Sequence, residues 1–98
     1  MERIWKLVAE VFVERGDMPS DLTKGFMNVT TWATSAESAR EKLAKYIERF
    51  NWRIISVEDA HPIDDSEEYD EQMEDMIART RTNPNAIILG TFHGYKEN

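Results

Sequence analysis

The sequence contains no cysteine. Disulfide staples and thiolate metal sites are therefore excluded, a composition that suits a reducing cytoplasm. Glycine is sparse, with four residues standing apart at Gly16, Gly25, Gly90 and Gly94. They do not make a glycine-rich phosphate loop. No serine sits in a Gly-x-Ser-x-Gly elbow, so nucleophilic catalysis has little support. Long apolar runs are missing too. None approaches the roughly 18 residues of a membrane span. The opening Met1-Glu2-Arg3-Ile4-Trp5-Lys6 brings in charge too early for a signal-peptide core. These absences lead to the expectation of a cytoplasmic chain with no membrane association and no cofactor.

What is present points to one domain over residues 1–98. Apolar residues make up 41% of the chain, enough for a single core. Residues 4–14 alternate, with Trp5, Leu7, Ala9, Val11 and Val13 on one parity, which is the period of a strand. Residues 15–24 carry Gly16, Asp17, Pro19, Ser20 and Asp21, the chemistry of a loop. Residues 26–34 are aromatic and β-branched and read as a second strand. Thr34 and Glu37 have capping-box spacing. Ala36, Ala39, Leu43, Ile47 and Phe50 follow as the apolar stripe of a helix that Asn51 stops. A third strand is expected over 52–60, centred on Ile54, Ile55 and Val57 and ended by Pro62.

Asp64 and Glu67 repeat the capping-box spacing ahead of a second helix over 66–81. After the break at Asn83-Pro84-Asn85, the run Ala86-Ile87-Ile88-Leu89 is apolar at both parities. That predicts a strand over 86–92 buried on both faces in the middle of the sheet. Residues 94–98 read as a loose tail. The expected fold is an α+β two-layer sandwich of order β-β-α-β-α-β, a mixed four-stranded sheet with two helices on one face.

Charge is distributed very unevenly. The net charge is −7, which makes free nucleic acid a poor partner. Ten acidic residues and no lysine or arginine fall between positions 58 and 75, while the rest of the chain carries nine acidic and twelve basic residues, a balance of +3. On a helix, Glu67, Glu71 and Glu74 share a face, and Asp70 lies beside Glu74. Acids in a first turn gain from the helix dipole, but Glu71, Glu74 and Asp75 lie further along and repel one another at these spacings. The plain explanation is a solvated face. The sharper one is a docking surface for a basic partner.

Three functional readings follow, in this order. The first is a non-enzymatic binding or regulatory protein, of the inhibitor or immunity type, engaging a basic protein through Glu67, Asp70, Glu71, Glu74 and Asp75. The second is a homodimeric ligand-binding or scaffold domain. Two helices on one side would leave Ile4, Val8, Phe12, Phe26 and Trp32 on the other, and an apolar patch of that size marks an interface. The third is a small metal-assisted enzyme in which Glu58, Asp59, His61 and His93 converge. Against the third, acidic residues ahead of a helix are accounted for by capping alone.

Overall fold

The computed structural model describes residues 1–13 and 24–95. It holds the strands β1 (Arg3–Phe12), β2 (Lys24–Ala33), β3 (Arg53–Pro62), β4 (Ile87–Leu89) and β5 (His93–Tyr95), with the helices α1 (Ala36–Glu48) and α2 (Glu71–Arg81). The expected 15–24 loop lies outside the described residues, except for Lys24, which opens β2.

The alternation in β1 and β2 sets the register. Leu7 faces Val29 and Ala9 faces Met27, so their apolar parities share one face. Ile4 with Trp32 and Lys6 with Thr30 lie on the other. The sheet order is β3-β1-β2-β4, and β5 continues the same edge of β2 beyond β4. Each of these pairings is antiparallel. The α+β class and the element order are as expected, with β5 added, but the sheet is not mixed. The β2-α1-β3 step connects two strands of the same direction, yet β1 lies between them, so neighbouring strands still run antiparallel.

The two helices do not share a face. Ala39, Leu43 and Ile47 of α1 pack with Leu7, Val11, Met27 and Val29 in the main core. α2 meets the other parity. The Trp32 Nε1–H donates to the Thr80 carbonyl at 2.7 Å, and the Thr30 and Thr80 hydroxyls lie 2.7 Å apart. Near Ile4 and Trp32 the molecule is therefore three layers deep. Toward Phe12 the described residues form two layers, the sheet and α1.

This placement explains β4. Its apolar run predicted a central strand, but β4 is a short strand at the edge. Both of its faces meet a helix cluster: Ile87 and Leu89 join the α1 core, and Ile88 joins Met73, Met76 and Ile77 under α2. The expected strand also breaks at Gly90, whose N–H donates to the Asn28 carbonyl at 2.8 Å. A Cβ there would lie 3.2 Å from both that oxygen and the Met76 sulfur. The chain resumes as β5, so Gly94 and Tyr95 belong to a strand rather than to a loose tail.

β3 is the opposite edge. Its register against β1 skips Ile55 and Glu58, two bulges that turn Ile54, Val57 and Ala60 toward the core. Ile55 is left 43% exposed instead of central. Bulges, charge and a terminal proline are the usual protections of an open edge.

Candidate functional site

The acidic segment begins where β3 ends. The Ile63 N–H still donates to the Ile4 carbonyl at 2.9 Å. Asp64 then makes a tight turn, one carboxylate oxygen accepting from the Ser66 N–H at 2.9 Å and the Ser66 hydroxyl at 2.8 Å. Those two bonds, backbone first, hold the Asp64 carboxyl below its ordinary 3.8, with a slight opposing push from burial and a small further pull from Arg3. Tyr69 closes the turn. Its hydroxyl accepts from the Asp64 N–H at 3.1 Å and donates to Glu67 at 2.9 Å. Partial desolvation pushes the phenol above 10.0, the Asp64 N–H opposes this, and the Glu67 carboxylate adds to it.

This turn occupies the residues expected to begin the helix, so α2 starts at Glu71 rather than at 66. Asp70 is the N-cap, its carboxylate accepting from the Met73 N–H at 2.8 Å. The helix turns Met73, Met76, Ile77 and Thr80 into the protein. Glu71, Glu74 and Asp75 are exposed. Asp75 meets Arg79 at 3.7 Å and Arg81 meets Asp65 at 3.8 Å, both exposed pairs of the kind that contributes little to stability. Gln72 ties the helix to the β4–β5 connection through the Thr91 hydroxyl at 2.8 Å.

The five carboxylates expected to meet a basic partner thus have different placements. Glu67 is in the turn and holds Tyr69, Asp70 caps the helix, Glu74 faces the turn, and Glu71 and Asp75 are exposed on the helix. Between turn and helix lies a groove of about 260 Å³. Ile63, Tyr69 and Ile77 supply its apolar surface, and Asp64, Asp65, Glu67 and Glu74 stand around it with Arg81. Four carboxylates stand against the Arg81 guanidinium, with Lys6 over the Tyr69 ring at 5.9 Å and Arg3 acting on Asp64, so the groove keeps a modest excess of negative charge. An apolar floor under a carboxylate rim suits the stem and head of a lysine or arginine side chain.

The other expected groupings fare differently. Ile4 is buried, and the half-buried Trp32 is bonded to α2 through its Nε1–H. Val8, Phe12 and Phe26 remain half-buried on the same sheet face, with the Arg53 guanidinium over the Phe12 ring at 5.2 Å. Asp59 and His61 come together, Nδ1 to Oδ1 at 3.0 Å. Glu58 lies in a bulge. His93 is on β5, separated from β3 by β1 and β2, which at strand spacing is on the order of 14 Å. Among the described residues no three metal-ligating side chains gather. No described helix is long and apolar enough to cross a membrane.

The hydrogen-bonded turn of Asp64, Ser66 and Tyr69 was not anticipated. Its signal is Asp64 with Ser66 two positions on, the spacing of a side-chain turn, which competes with the capping-box pattern on the same aspartate. Comparison with known protein families, curated proteins and solved structures finds no match for this chain.

Proposed function

We propose that this is a small non-enzymatic binding or regulatory protein, of the inhibitor or immunity type, that acts in the cytoplasm on a basic protein. The supporting observation is the groove between the Asp64–Tyr69 turn and α2, where four carboxylates surround an apolar floor. A lysine or arginine of the partner enters this groove. Glu71 and Asp75 extend the negative field along the outer side of α2, which raises the association rate and gives it a strong salt dependence.

Asp64 and Glu67 hold the turn, and Asp65 and Asp75 pair with Arg81 and Arg79. Glu71 and Glu74 make no ion pair among the described residues. Reversing both to lysine leaves the fold intact and abolishes binding to the basic partner. A partner captured from the native host by the wild-type chain and bound equally well by Glu71→Lys/Glu74→Lys would remove this reading.

A further inference from the structure

We draw no further inference here: the strongest candidate, the half-buried patch of Val8, Phe12 and Phe26 on the α2 side of the sheet beyond that helix, carries nothing because nothing in the structure shows what covers it.

Discussion

Two threonines and a tryptophan determine where α2 sits. Thr30 and Thr80 are fully buried, and their hydroxyls bond to each other and to the Met76 carbonyl. Among the described residues no buried side-chain polar atom lacks a partner. Thr80→Val removes the 2.7 Å bond and leaves the buried Thr30 hydroxyl only its 3.4 Å contact with the Met76 carbonyl, at a cost of about 1–2 kcal/mol. Thr30→Val/Thr80→Val removes both, and urea unfolding should show the double variant recovering much of that loss. If the two single losses simply add, the bond between them is not what matters.

Asp64 makes a prediction in pH. Its folded carboxyl is held below 3.8 by the Ser66 N–H and hydroxyl. The unfolded chain takes up that proton at higher pH than the folded chain does. The contribution of the turn is therefore complete above 3.8 and fades as pH falls through the lower folded value. Ser66→Ala deletes the hydroxyl bond and leaves the stronger backbone one. An NMR titration of the Asp64 carboxyl should then show its pKa rise part of the way back. An unchanged value would assign the depression to the backbone N–H alone.

At the scale of elements, α2 depends on its cap. Asp70→Ala frees the Met73 N–H and costs about 1 kcal/mol, visible as faster amide exchange in the first turn. β5 depends on Gly25. A Cβ there would meet the His93 carbonyl and the Phe92 ring at 2.6 Å, so Gly25→Ala pushes β5 off the sheet. The expected destabilisation is about 1–3 kcal/mol, with loss of the β2–β5 amide protection.

The elements also show what a sequence makes legible. β1, β2 and α1 came through because each carries a clean period, 2 or 3.6, against a single core. Both faces of β4 meet a helix cluster, but Ile87, Ile88 and Leu89 are half-buried and the strand lies at the edge rather than in the middle of the sheet. Double-sided burial comes from flanking strands or from a helix on each face, and the periodicity of four apolar residues is the same in both cases. The start of α2 was misplaced because Asp64 suits both a cap and a side-chain turn, and only the tertiary position of Tyr69 decides between them. Ile4 and Trp32 looked like an interface for the same reason as β4: nothing local records which face a helix will cover.

Across the whole molecule, the charge is uneven. Carboxylates gather on the turn and the start of α2, whereas α1 carries three acids and three bases and is neutral as a whole. The net charge of −7 hides this division. A basic partner engaged as proposed at α2 leaves the α1 face of the sheet untouched. Raising salt is expected to weaken that contact, and Glu71→Lys/Glu74→Lys to remove it.

The most direct test is affinity capture from the native host with two baits, the wild-type chain and Glu71→Lys/Glu74→Lys. The account predicts a basic protein held by the wild type, released by moderate salt and missing from the variant, whose unfolding midpoint stays close to that of the wild type. Recovery of the same partner on both baits, with the same salt response, would contradict it.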